Sequence, residues 1–235
     1  IMEVETPAAA TRAYLRAHDG DFDADPEFEL ALYEEADAAL LLGGSRNATA
    51  KADVPGERRQ AYSKSRREIR EARLSTDWVS TLHPTRAHAQ QAGMAYEEYQ
   101  DFVYDAVLRD WERLADEMAK MKEILDEGSE VRLVSDGTDL TMSVEDRTAV
   151  NSAASVAYDS HNLPSGEVFT APSDPEGEVV FDVPMTIQDR RVRNVRLAFE
   201  DGEVTEFSAE TGEDALADVI ETDAGARRLG ELGIG

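Results

Sequence analysis

The sequence has 235 residues, of which 41% are hydrophobic, so it is long enough to bury a core and is not disordered by composition. Its formal net charge of −26 disfavours nucleic acid and anionic membranes as partners. The absence of cysteine excludes disulfides and thiolate metal sites, and no apolar run is long enough to span a membrane. With no secretory signal at its start, we expect a cytoplasmic protein.

The first half of the sequence alternates strands with helices, which predicts an α/β domain with a parallel sheet. The run "AALLL" is followed by Gly43 and Gly44, which is typical of a buried parallel strand. The longest predicted helix ends just before Gly128, a common stop signal. The predicted elements are strands at 1–5, 38–42 and 77–84, helices at 11–18, 27–37, 57–73 and 97–126, and a loop at 47–56.

From residue 130 onward the apolar period changes to two, which indicates strands. Asp201-Gly202 lies in the middle of an alternating segment and is a strong hairpin signal. The predicted elements are strands at 130–135, 139–145 and 176–184, a hairpin at 192–210 and a helix at 213–220. We therefore predict an α/β N-terminal domain over residues 1–127 and a β-rich α+β domain over residues 128–235.

The charge pattern indicates the protein's environment rather than its chemistry. The chain has 50 acidic and 24 basic residues, and most of the basic ones are arginine. An acidic excess with scarce lysine is typical of halophilic proteins, which stay hydrated in strong salt. Most of the carboxylates are therefore expected on a solvated surface.

The histidines do not form a recognisable metal motif. His83 and His88 are five residues apart, whereas a zinc-protease helix spaces its two histidines by four. His18 and His161 are isolated in the sequence. We expect surface or packing roles for all four.

The segment "NLPSGEVFTAP" (162–172) contains a single charged residue, Glu167. Its two prolines stiffen the segment, which we interpret as a loop, and Gly166 lets other backbone approach closely. Val168 and Phe169, which follow, are apolar. A carboxylate in such surroundings is partly buried and needs a cation or full hydrogen bonding, so Glu167 is a candidate metal ligand.

Glu231 repeats this setting between Gly230 and Leu232 in "RRLGELGIG". It is the second candidate metal ligand. The alternative for both glutamates is an exposed turn carboxylate or a salt bridge to Arg227 or Arg228.

These segments resemble the thermophilic aminopeptidase family, whose members are cocatalytic metallopeptidases. The resemblance is carried by "NLPSGEVFTAP", "EGEVVFD" and "DAGARRLGELGIG", and "DLTMSV" fits as well. In the first half it is carried by "LLLGGSRNATAKADVP" and "HPTRAHAQQAGM", so it covers essentially the whole sequence.

The resemblance implies an α/β N-terminal domain, a β-rich catalytic domain and removal of N-terminal amino acids from peptides. It implies two divalent metal ions (zinc, cobalt, manganese or magnesium) and places the first two glutamate ligands at Glu167 and Glu231. The remaining ligands, two histidines and an aspartate, and a catalytic tyrosine fall beyond Gly235.

The resemblance also implies a homodimer. We interpret the sequence, which starts at Ile1 and stops in "GELGIG", as a fragment that is inactive by itself. The alternative function is a non-catalytic acidic binding or assembly protein that keeps the fold.

Overall fold

The computed structural model describes residues 7–18, 22, 27–158 and 160–235. The strand predicted at 1–5 lies outside them. The elements in chain order are α1 (Ala8–Ala17), α2 (Glu27–Glu34), β1 (Ala38–Gly43), α3 (Gly56–Ser65), α4 (Arg67–Leu74), β2 (Asp77–Leu82), α5 (Arg86–Ala92), α6 (Tyr96–Val107), α7 (Trp111–Glu127), β3 (Glu130–Ser135), β4 (Thr138–Ser143), β5 (Val150–Ser152), β6 (Asn162–Leu163), β7 (Glu167–Thr170), β8 (Ser173–Phe181), β9 (Met185–Ile187), β10 (Arg190–Glu200), β11 (Glu203–Thr211), α8 (Glu213–Ile220), a 3₁₀ turn (Gly225–Arg227) and β12 (Leu232–Ile234).

The chain divides into two compact units. The first extends to Val107 and includes His161–Leu163, and the second contains 108–160 and 164–235. Helix α7 therefore belongs to the second unit, whereas the sequence pattern put the boundary after residue 127. Among the described residues, no helix has both the length and the apolar character needed to cross a membrane.

The first unit contains a parallel sheet in the order β1-β2-β6 with helices around it, so the predicted α/β class is confirmed. The expectation that β1 is a buried strand is wrong. Leu40 and Leu42 are 68% and 65% exposed, because β1 is an edge strand in the described sheet and alternate side chains point away from the protein.

Two predicted long helices are each divided in the structure. The helix predicted at 57–73 is interrupted at Arg66, whose φ of −98° and ψ of 13° are not helical. The helix predicted at 97–126 is interrupted between α6 and α7, where the Asp110 side chain accepts a 3.0 Å hydrogen bond from the Arg113 amide. This N-cap satisfies an amide at the start of α7, so a new helix begins there.

The second unit contains a mainly antiparallel sheet in the order β11-β10-β8-β4-β3, with β9 paired to β10. The predicted hairpin is confirmed: β10 and β11 are joined by Asp201-Gly202, both with positive φ, as a tight hairpin turn requires. Helix α8 matches the predicted bounds and covers one face of this sheet through buried Ala215, Leu216 and Ile220.

A smaller sheet in the second unit, in the order β12-β7-β5, was missed by the sequence analysis. Its strands have only three or four residues each and come from distant parts of the chain. Glu167 is consequently the first residue of a strand, not part of a loop as expected.

Candidate metal centre

Strand β7 carries Glu167 at the centre of the small sheet. β5 flanks it on one side through the pair Ser152↔Glu167, and β12 flanks it on the other through the pair Gly233↔Phe169. Glu167 itself pairs with Ser152, and the pairing with β12 begins at the next residue, Val168↔Ile234, so the backbone at Glu167 is held more firmly than that of a loop.

The two faces of the small sheet differ in their surroundings. Val168 is fully buried and packs in one cluster with Ala115 and Met118 of α7, and the Asn151 side chain donates a 2.9 Å hydrogen bond to the Ala115 carbonyl. Because strand side chains alternate, Glu167 lies on the face opposite to α7. This second face is only partly covered, and the Glu167 side chain is half-buried on it.

Asp126 fixes the entry to β5. Its carboxylate accepts a 2.7 Å hydrogen bond from the Ala149 amide and pairs with Lys122 one turn earlier on α7. The hydrogen bond from Lys122, followed by that from Ala149, holds the pKa of Asp126 below its usual range. The ionised carboxylate thus links the end of α7 to the strand beside Glu167.

The carboxylate of Glu167 lies over Gly233 on the neighbouring strand. A Cβ atom at residue 233 would come within 2.8 Å of Glu167 Oε2, closer than real Cβ contacts. Glycine at this position therefore leaves the space that the carboxylate occupies.

Glu231 is one residue before β12 and, by strand alternation, faces the same way as Gly233. Two residues of strand span about 7 Å, which separates Glu231 from Gly233, the residue over which the Glu167 carboxylate lies. Two ions about 4 Å apart, each bound at about 2.1 Å, accommodate carboxylates up to roughly 8 Å apart. Unlike Glu167, Glu231 is exposed, so the partly buried setting expected for it is wrong.

Among the described residues, no hydrogen bond or ion pair involves either glutamate side chain. The arginines proposed as alternative partners are engaged elsewhere: Arg228 pairs with Glu203 at 2.9 Å, and Arg227 donates a 3.0 Å hydrogen bond to the Val204 carbonyl. A half-buried carboxylate without a protein partner is a suitable cation ligand.

The whole sequence matches a family model. The model described as thermophilic metalloprotease (M29) covers residues 1–235. The chain belongs to the M29 family. This confirms the family resemblance carried by the sequence motifs.

Relatives of this M29 chain are named aminopeptidases. Aminopeptidase AmpS of Bacillus subtilis (strain 168) is 35% identical over 105 residues, which are 42% of this chain and 26% of that protein. Aminopeptidase 2 of Geobacillus stearothermophilus is 29% identical over 179 residues, or 67% of this chain and 43% of that protein. The matched part is thus less than half the length of these curated relatives.

A solved structure is similar over nearly the whole M29 chain. Wild-type AmpT from Thermus thermophilus superposes with a TM-score of 0.73 at 26% identity, over 98% of this chain and 64% of that chain. The match confirms the predicted fold class of an α/β part followed by a β-rich part.

The donor set of the M29 chain is compatible with part of a metal centre. In the described part of the chain, no group of three or more histidine, cysteine, aspartate or glutamate side chains is close enough to hold an ion. Glu167 and Glu231 supply hard oxygen donors, but a catalytic zinc usually has three protein ligands. The residues present therefore fit as two members of a larger ligand set.

The histidines of the M29 chain belong to the first unit, where they occupy packing or surface positions. His161 stacks on Trp78 with ring centroids 4.4 Å apart, and His18 stacks on Phe22 at the same distance. His88 is half-buried and His83 is exposed.

Two local signals for the site were present in the sequence but were not used. "EVFT" contains three strand-favouring residues after Glu167, which indicates a short strand. "LGIG" places glycine at alternate positions, Gly233 and Gly235, which indicates close approach by another group on one strand face.

Proposed function

We propose that this chain is part of a metal-dependent aminopeptidase that releases N-terminal amino acids from peptides. The observation that carries the proposal is the Glu167 carboxylate, half-buried over Gly233 beside the strand that Glu231 precedes. Membership of the M29 family and the names of the relatives support the reaction class.

Glu167 and Glu231 are proposed to hold divalent metal ions through their carboxylate oxygens. When bound, two such ions lower the pKa of a shared water and polarise the scissile carbonyl. The role of the chain itself is to fix the donors. Pairing with Ser152 of β5 holds the Glu167 backbone, and Gly233 keeps the space above β12 open for its carboxylate.

The family resemblance puts the other ligands and the catalytic tyrosine outside these 235 residues. Two carboxylates do not complete two coordination spheres, so we propose that the 235-residue chain does not hydrolyse peptides by itself. Oxygen donors accept zinc, cobalt, manganese or magnesium, and the choice among these metals stays a prediction. A homodimer, a cytoplasmic location and a halophilic host are likewise expectations.

The test compares the 235-residue chain with a version extended beyond Gly235 through the further ligands that the family resemblance implies. Both are assayed on an aminoacyl-anilide with cobalt or zinc in molar potassium chloride. We expect activity only in the longer protein, and a loss of about a hundredfold or more in its Glu167→Gln variant. Glu206→Gln, on an exposed strand position without a described partner, is the matched control and keeps full activity.

Each outcome separates the hypotheses. Equal activity in the short and long proteins overturns the assignment of missing ligands. A longer protein that binds metal but hydrolyses no peptide favours the non-catalytic binding or assembly alternative. Equal losses in Glu167→Gln and Glu206→Gln remove the special role of Glu167.

A further inference from the structure

The hydroxyls of Ser152, Ser160 and Ser165 form a closed cluster, and Ser165 lies two residues before Glu167. The Oγ atoms of Ser152 and Ser160 are 2.9 Å apart, those of Ser152 and Ser165 are 2.7 Å apart, and those of Ser160 and Ser165 are 3.0 Å apart. Ser152 and Ser160 are only 4% and 6% exposed. A buried hydroxyl cluster of this kind joins three separate positions of the chain in a low-dielectric environment.

The cluster is connected to the backbone that carries Glu167. The Ser152 carbonyl accepts two hydrogen bonds of 2.7 Å, one from the Ser165 hydroxyl and one from the Gly166 amide. Both donors come from the two residues that precede Glu167. The same Ser152 is the register partner of Glu167 across β5 and β7.

The cluster has fewer hydroxyl protons than contacts that need one. The three hydroxyls have three protons for four contacts, namely the three between Oγ atoms and the one to the Ser152 carbonyl. The contacts within the cluster can therefore take up every hydroxyl proton.

The peptide at Gly166 needs this support because its conformation is unusual. Gly166 has a φ of 107°, and a Cβ atom there would lie 3.3 Å from Leu114 of α7. Glycine meets both constraints, but it is also the residue with the most backbone freedom. The Ser165 hydroxyl and the Gly166 amide both donate to the Ser152 carbonyl, and these two hydrogen bonds restrict that freedom.

We infer that the cluster of Ser152, Ser160 and Ser165 fixes the direction in which Glu167 leaves the turn, and that Ser165 is a positioning residue for the metal centre. The inference rests on the proposed function for its link to metal, and it extends the site to residues that do not bind the ion. Loss of the Ser165 hydroxyl is expected to loosen Gly166 and to lower the metal affinity, while Glu167 itself is unchanged.

The first experiment measures hydrogen exchange of the Gly166 amide by NMR in the 235-residue chain. Ser165→Ala is expected to speed this exchange about tenfold, the effect of losing about one hydrogen bond, while amides of β4 and β8 keep their rates. The control is Ser155→Ala, which removes a hydroxyl that donates to the Ser160 carbonyl at 3.0 Å but is not one of the three. Unchanged exchange at Gly166 in Ser165→Ala overturns the inference.

The second experiment measures Mn²⁺ binding in molar potassium chloride. The concentration of free Mn²⁺ is read from its electron paramagnetic resonance signal. Site-specific binding is defined as the part that Glu167→Gln abolishes, because an acidic surface also attracts cations. We expect Ser165→Ala to weaken this part about tenfold, comparable to the loss of other outer-shell partners, and Ser155→Ala to leave it unchanged. Faster exchange with unchanged Mn²⁺ affinity would show a merely structural cluster and overturn the positioning role.

Two further outcomes are distinguishable. A wild-type chain whose Mn²⁺ binding is the same as that of Glu167→Gln overturns the proposed metal ligand, while Gly166 exchange still decides whether Ser165 orders the turn. If Ser165→Ala does not fold, Ser160→Ala replaces it, because it removes one hydroxyl and keeps the Ser165–Ser152 carbonyl bond. Ser160→Ala is expected to give a smaller change in the same direction, and no change contradicts the inference.

Discussion

The carboxylate of Glu167 and the backbone of Gly233 share one space: a Cβ atom at residue 233 would come within 2.8 Å of Oε2. The two residues lie on adjacent strands, two positions from direct pairing. The relationship links a proposed ligand to a glycine 66 residues later in the sequence (233 − 167 = 66).

Gly233→Ala is expected to weaken Mn²⁺ binding about tenfold without loss of stability. The added methyl displaces the carboxylate, which is the end of a flexible side chain, and alanine in a strand is favoured over glycine by up to about 1 kcal/mol. Mn²⁺ titration and thermal melts measure the two effects. Gly230→Ala is the control, since nothing lies within 4 Å of a Cβ there. Equal affinities in the two variants would contradict the relationship.

Metal addition is expected to raise the melting temperature of the wild-type chain and to do so much less in Glu167→Gln or Glu231→Gln. An ion that binds only the folded state adds about 2.7 kcal/mol at 100 times its dissociation constant. Differential scanning fluorimetry with and without Mn²⁺ measures the shift, with Glu206→Gln as the control. A full shift in Glu231→Gln would remove that residue from the ligand set.

Salt is expected to stabilise the folded chain. Screening weakens the mutual repulsion of 26 excess negative charges, so the melting temperature should rise by several degrees between dilute buffer and molar potassium chloride. The melts are recorded at constant pH and protein concentration. An unchanged melting temperature would refute the prediction.

Asp126→Asn is expected to lower the free energy of unfolding by about 1 kcal/mol at neutral pH. The pKa of Asp126 is depressed by Lys122 and by the Ala149 amide, so the folded state favours the charged form. This stabilisation is present above the unfolded pKa of about 3.9 and is lost as the pH falls through the lower folded value.

Urea titrations at several pH values measure the effect of Asp126→Asn. The difference from wild type should shrink steadily at acidic pH, where both side chains are uncharged. Asp116→Asn, at an exposed position of the same helix, is the control and should change little. A difference that is constant from neutral to strongly acidic pH is inconsistent with the charged interaction.

Local patterns in the sequence predicted the elements whose signals lie among near neighbours. The hairpin of β10 and β11 follows from Asp201-Gly202 between alternating residues, and α8 follows from helical spacing over 213–220. The candidate ligands Glu167 and Glu231 were found from their neighbours and from a family resemblance.

Other features form only when residues far apart in the sequence come together. Strands β5, β7 and β12 are too short to show a period, and each becomes a strand because the others pair with it. The space over Gly233 and the hydroxyl cluster at Ser165 exist only when segments about 13 to 66 residues apart meet. The exposure of Leu40 likewise depends on which strands flank β1. An apolar run such as "AALLL" does not by itself distinguish an edge strand from a central one.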